Sequence, residues 1–173
     1  SRLENKQKNI KNFLYSIKKI NENYLKKIKI SIIGDGVDFK IIKNTILKLK
    51  LNNFIDIIKP VSSDISSYYL NANLFVIPSK WEGVSNSLLE AMSYGLPIIA
   101  LKRCQGMNKF VIDDFNGYLV ENDNELIIFQ DLIEKLIDNK NYLEKLGRNS
   151  KEVLKNINMA DDKIKWRNLL NVT

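Results

Sequence analysis

At 173 residues the chain is of ordinary size for one domain, long enough to bury a single core without disulfides or metal. It holds no histidine and one cysteine, Cys104, which excludes Ser-His and Cys-His couples, imidazole metal sites, a cysteine metal cluster and an intrachain disulfide, and points only weakly to a reducing compartment. The net charge of +7 is lopsided: residues 1–50 carry 13 basic and 4 acidic groups, net +9, and the other residues 14 and 16, net −2. A basic first third can meet phosphates, anionic lipid or nucleic acid, or form a lysine-rich solvated face. No apolar run is long enough to span a bilayer and the start is not signal-like, so the chain is expected to be soluble.

The first predicted helix runs from about Asn9 to Asn23, with Ile10, Phe13, Leu14, Ile17 and Ile20 on one face. A strand follows over 28–33 and ends in Gly34-Asp35-Gly36, a tight turn where glycine can take positive φ. A glycine turn opening a helix invites a dinucleotide-binding reading, but the third glycine of G-x-G-x-x-G is replaced by Phe39, which argues against a nicotinamide fold. Further on, a helix is expected from about Phe39 to Lys50 and a strand over 54–58. Asp64 or Ser63 is a candidate N-cap for a helix over 65–72.

The next stretch, Leu74 to Ala100, organises the rest. Leu74 to Ile77 reads as a short buried strand stopped by Pro78, and Glu82 and Gly83 fall in a loop. Asn86 to Tyr94 then place Leu88, Leu89 and Met92 at helical spacing, with Gly95 and Pro97 ending the helix before an apolar strand over 98–101. This is a parallel βαβ unit whose loop sits at the carboxyl end of its first strand, where open α/β sheets bind ligands. Beyond it come a turn at Asn116-Gly117, a last strand at Tyr118 to Val120, and helices over 125–138, 142–157 and 161–170. Neither Asp113-Asp114 nor Asp161-Asp162 forms an Asp-x-Asp motif beside a strand, so both pairs are read as solvated and no metal site is expected. The expected fold is α/β, Rossmann-like, one domain over 1–173, with a mostly parallel sheet in order 3-2-1-4-5-6 and helices on both faces. Its central first strand is expected ahead of Ser1.

Glu82-Gly83, then Asn86, Leu89-Glu90-Ala91-Met92 and Gly95-Leu96-Pro97, set between two strands, resemble the E-x7-E signature of the family 4 retaining glycosyltransferases, in their C-terminal nucleotide-sugar-binding domain of GT-B fold. The start, Arg2 followed by Lys8 before Asn9-Ile10, is similar to that family's arginine and lysine; the gap is one residue longer than usual, so Lys6 is the alternative to Lys8. By this resemblance Arg2 and Lys8 hold the donor diphosphate, where cations offset charge growing on the leaving group. Glu82 takes hydroxyls of the transferred sugar, and Glu90 both ribose hydroxyls. Gly34 lies near the donor cleft, Pro60 and Val61 back the nucleobase, and Gly83, Val84, Ser85, Asn86 and Ser87 offer backbone N–H groups at a helix start. Two positions depart from the family pattern: Gln105 replaces a common glycine beside Gly106, and Lys109 stands where a glutamate is frequent.

What the resemblance implies is transfer of a glycosyl group with retention, by front-face attack, in cell-surface polysaccharide or glycolipid synthesis. No cofactor is implied. The substrate is a nucleotide sugar, a UDP-sugar favoured over a GDP-sugar, and the partner is the enzyme's own N-terminal acceptor domain, not nucleic acid. The location implied is cytoplasmic, with peripheral association of the full-length enzyme at the inner face of the membrane left open. Competing readings remain. Ser87-Leu88-Leu89-Glu90 also fits the S-x-x-E capping box, a purely structural reason for Glu90. A glycosidase pair fits the context of a helix start beside cations less well than phosphate binding does. A nucleotide- or nucleic-acid-binding module without transferase activity is the alternative, weakened by how few aromatics interleave with the lysines.

Overall fold

The computed structural model describes residues 2–59, 65–121 and 125–156. The chain opens with a single helical turn, α1 (Asn5–Lys8), and then α2 (Ile10–Lys19), α3 (Glu22–Leu25), β1 (Ile30–Ile33), α4 (Phe39–Lys48), β2 (Ile55–Ile58) and α5 (Ser66–Leu70). The organising unit is β3 (Phe75–Ile77), α6 (Asn86–Ser93) and β4 (Ile98–Leu101); a 3₁₀ turn at Gln105–Met107, β5 (Gly117–Val120), α7 (Glu125–Ile137) and α8 (Lys140–Asn156) complete the described chain.

All strand pairings are parallel. β1 pairs with β2, Ile30 opposite Ile55, and β3, β4 and β5 form a second sheet in that order, Phe75 opposite Ile98 and Ile98 opposite Gly117. Counted as the second to sixth strands of the expected sheet, they supply the neighbours 3-2 and 4-5-6; the two pairings of its first strand are not among those described. Arg2 makes a single parallel bridge with Asp35 at the carboxyl end of β1.

A parallel sheet covered on both faces needs strands that are apolar throughout, because successive side chains point to opposite sides. β4 meets that demand with four buried residues. Its Ile99 and Leu101 join Phe13, Leu14 and Ile17 of α2, Ile42 and Ile46 of α4 and Phe129 of α7 in one core; its Ile98 and Ala100 join Leu88, Ala91 and Met92 of α6 in the other. The predicted apolar face of the first helix is therefore correct, and Phe13 meets Phe129 edge-on at 5.7 Å.

The helix itself is shorter than predicted and divided. Asn9, at φ 57°, separates α1 from α2, and α2 stops at Lys19, after which Asn21 caps α3 through a bond from the Asn23 amide. Asparagine tolerates the left-handed region better than most residues, which is what lets the chain turn there. The carboxylates read as solvated are partly engaged: Asp114 accepts from the hydroxyls of Tyr118 (2.7 Å) and Tyr142 (2.5 Å), and Asp113 from the Leu119 amide (2.7 Å). The expected N-cap at Ser63 or Asp64 and the helix over 161–170 lie outside the described residues.

Candidate functional site

The site is assembled by residues 2–8, which tie the turn after β1 to the loop after β3. The Leu3 amide donates to the Asp35 carbonyl (2.8 Å), the Asp38 amide to the Leu3 carbonyl (3.2 Å), and the Asn5 amide to Asp38 Oδ2 (2.7 Å). Leu3 passes so close to Gly36 that a Cβ there would lie 2.6 Å from the Leu3 carbonyl oxygen. The second glycine of Gly34-Asp35-Gly36 is thus required by backbone packing. Gly34 donates its amide to the Ile58 carbonyl at 2.9 Å, so its N–H serves the sheet. Arg2 is exposed beside this turn.

On the other side, the Lys80 amide donates to the Gln7 carbonyl (2.8 Å) and Gln7 Nε2 to the Trp81 carbonyl (3.1 Å). These bonds set Lys8 against Glu82. Lys8 Nζ donates to Glu82 Oε1 at 2.5 Å, and Ser79 Oγ donates to the same oxygen at 2.5 Å. The pair is largely shielded from water, the Lys8 side chain being 16% and that of Glu82 9% exposed. Burial pushes the Glu82 carboxyl up, but the hydrogen bonds from Lys8 and Ser79 and the Lys8 charge outweigh it, so it titrates below its ordinary value. Lys8 is the lysine brought to this centre, whereas Lys6 is exposed.

Behind Glu82 lies the segment with the departures from pattern. Gly106 packs on the loop so tightly that a Cβ would stand 2.1 Å from the Gly83 carbonyl oxygen and 2.6 Å from that of Glu82. Cys104 is buried beside it, its thiol pushed up by burial and then by the Glu82 charge. Gln105 and Lys109 are exposed. Gly83, by contrast, has nothing within 4 Å of where a Cβ would be, leaving its outer side open.

The helix start differs from the capping box. Ser85, with extended backbone, is the N-cap of α6, so Glu90 is the fifth helical residue and Leu88 occupies the position a capping-box glutamate would take. Ser87 is inside the helix, and its hydroxyl pairs with that of Ser85 at 2.9 Å. Glu90 therefore has no capping duty. The first intrahelical bond is from the Leu88 amide to the Ser85 carbonyl at 3.0 Å, so the N–H groups of Asn86 and Ser87 precede it and face outward at the positive end of the helix. Val84 and Asn86 are exposed there. Glu90 is exposed too, and its Oε2 accepts from the Tyr69 hydroxyl at 2.9 Å.

The structure thus brings Lys8, Glu82 and the 83–87 turn together at the carboxyl end of β3, with Glu90 further along α6; Pro60 and Val61 lie outside the described residues. Sequence reasoning missed Ser79, Tyr69, Cys104 and Gly106 as supports. Tyr69 reaches Glu90 across 21 residues, a contact that no local pattern records; Ser79 stands three residues from Glu82, and only the Pro78 strand stop hinted at it. Among the described residues no group of three acidic or thiol side chains converges to hold a metal ion. No helix among them is long and apolar enough to cross a membrane. A hollow along β2 and α4, lined by Lys43, Ile46, Leu47 and Asp56, contains none of the predicted site residues.

Comparison with known proteins identifies relatives of the chain and of its fold. The chain is 34% identical over 165 residues to a UDP-Gal:alpha-D-GlcNAc-diphosphoundecaprenol alpha-1,3-galactosyltransferase of Escherichia coli, covering 92% of the chain and 41% of the relative. It superposes with TM-score 0.87 and 26% identity on the G117R mutant of S. aureus TarM in complex with fondaparinux, alpha-GlcNAc-glycerol and UDP, over 99% of the chain and 34% of that protein. It also matches the C-terminal domain of a glycosyl transferase group 1 family protein from Francisella tularensis, with TM-score 0.73 and 26% identity over 90% of the chain and 82% of that domain. The chain spans about two fifths or less of the length of its curated relatives. The family model of the glycosyl transferases group 1 matches residues 1–153, and the chain belongs to that family, with an α/β fold of the GT-B type.

Proposed function

We propose that this chain is the donor-binding part of a retaining glycosyltransferase of family 4. On this reading it binds a nucleotide sugar, a UDP-sugar in preference to a GDP-sugar. With an N-terminal acceptor domain it transfers a hexosyl group to an acceptor hydroxyl in cell-surface polysaccharide or glycolipid synthesis. The observation that carries the reading is the juxtaposition of Lys8 and Glu82 with the start of α6 at the carboxyl end of β3. A cation and outward N–H groups suit a diphosphate; an ionised, desolvated carboxylate beside them suits sugar hydroxyls, which donate to it. The relatives' names support it: the Escherichia coli relative is named for a UDP-galactose donor and a polyprenyl-diphosphate acceptor, and TarM was crystallised with UDP.

The mechanism proposed with this reading is front-face displacement. The acceptor oxygen attacks the anomeric carbon from the face that the phosphate leaves, the carbon–oxygen bond to phosphate breaks with its electron pair going to that oxygen, and the acceptor proton passes to it. No protein base is needed, in accord with the absence of histidine. Lys8, Arg2 and the N-terminus of α6 stabilise the charge on the leaving diphosphate, the work a metal does elsewhere, so the reaction is proposed to need no cofactor. Isothermal titration of the chain with UDP, GDP, UDP-sugars and NAD tests the binding claim. Binding of UDP and a UDP-sugar, unaffected by a chelator, supports it; binding of NAD alone, or tight nucleic-acid binding at physiological salt without nucleoside diphosphate binding, overturns it.

A further inference from the structure

Glu90 is exposed on α6 with no cap to serve, so nothing on its own helix fixes its side chain. Tyr69 does so from α5. Tyr69 as a residue is 7% exposed, and its ring stacks on Tyr94 with centroids 5.3 Å apart and planes at 15° and leans on Phe75 at 5.9 Å. The hydroxyl held by this packing donates to Glu90 Oε2 at 2.9 Å and lies 3.5 Å from the Ser87 carbonyl. Burial first, then the bond to Glu90, pushes the phenol up, so Tyr69 remains a proton donor at neutral pH. An ionised carboxylate has about four acceptor sites, and one phenolic proton occupies one of them. Oε1 and the second lone pair of Oε2 stay available.

We propose that Tyr69 is a positioning residue, which aims the Glu90 carboxylate so that its remaining lone pairs meet the two vicinal hydroxyls of the donor's ribose. The proposal rests on the reading of Glu90 as the ribose acceptor. A long charged side chain left free loses rotamer freedom when it binds; Tyr69 imposes the binding rotamer beforehand, which is the advantage of pre-organisation.

The test compares UDP with its dideoxyribose analogue, titrated into the wild-type chain, Tyr69→Phe and Glu90→Gln. Tyr69→Phe removes one oxygen and keeps the ring, so the stack on Tyr94 survives. Wild type is expected to prefer UDP by about tenfold or more, Glu90→Gln to lose most of that preference, and Tyr69→Phe to reduce it by about three- to tenfold while binding the analogue as wild type does. If Glu90→Gln collapses the preference and Tyr69→Phe leaves it intact, the positioning role is wrong and the reading of Glu90 stands. If wild type shows no preference, or Glu90→Gln retains it, the reading of Glu90 fails and the proposal with it. An equal loss for both nucleotides in Tyr69→Phe also overturns the proposal, because a merely structural tyrosine would give that result.

Discussion

Replacing Glu82 by glutamine is expected to destabilise the chain, and the loss can be worked from the pair it breaks. In the wild type, Glu82 Oε1 takes two donors and the Lys8 ammonium has that carboxylate as its anion in a setting where the two side chains are only 9% and 16% exposed. Glutamine keeps an acceptor for Ser79 and removes the charge. Breaking a fully buried pair costs about 3–5 kcal/mol. Lys8 lies in the last residue of a four-residue helix, and its stem can carry the ammonium toward water, so the loss should be nearer about 1.5–3 kcal/mol, the worth of a hydrogen bond to a charged group. For a chain of this length that lowers Tm by roughly 3–12 °C. The measurement is urea unfolding of wild type, Glu82→Gln, Lys8→Met and the double variant. The double variant is expected to be less destabilised than the sum of the singles, by about the same 1.5–3 kcal/mol. The pH dependence has a definite sign. Glu82 is depressed in the folded chain, so its contribution is present above its ordinary value of 4.5 and is lost as pH falls through the lower folded value. The gap between wild type and Glu82→Gln should therefore hold from pH 7 down to about 4.5 and narrow below it. Additive single variants, or a gap that does not narrow in acid, would refute the account.

Gly106→Ala forces a methyl into the Gly83 and Glu82 carbonyls, so the loop must move; it should weaken binding of a nucleotide sugar at least tenfold in titration, and unaltered binding would show the brace to be unimportant. Glu90→Gln should leave urea stability within about 0.5 kcal/mol, because the residue is exposed, does not cap, and an amide oxygen still accepts from Tyr69; UDP affinity should fall about ten- to hundredfold. Glu82→Gln should differ from it in ligand binding, sparing UDP and weakening the UDP-sugar, and equal losses for the two ligands would remove Glu82 from the sugar. Phe129→Ala, in the core between α7 and α2, should cost about 3–5 kcal/mol in urea unfolding with little change in UDP affinity per folded molecule.

The parts of the molecule that were legible in the sequence are those governed by short-range rules. β4 could be read from an apolar run bounded by Pro97, and α6 from its spacing and from Gly95, which indeed sits at φ 76°. The E-x7-E spacing identified Glu82 and Glu90, but their roles in the fold follow from distant partners. Pattern alone also offered Glu90 a capping-box role, because Ser87 stands three residues before it. The backbone chose Ser85 as the cap two residues earlier, where the extended loop from Gly83 ends, and a shift of two positions moves a carboxylate from the helix start to its flank. Its real neighbour, Tyr69, is 21 residues away on another helix. The same limit applies to Gly36. Its glycine-rich context invited a dinucleotide-binding reading, whereas the space it leaves is filled by the Leu3 backbone, part of the segment that carries Lys8 to Glu82. A glycine in a turn records that something approaches closely, and only the fold says whether that is a ligand or the chain itself.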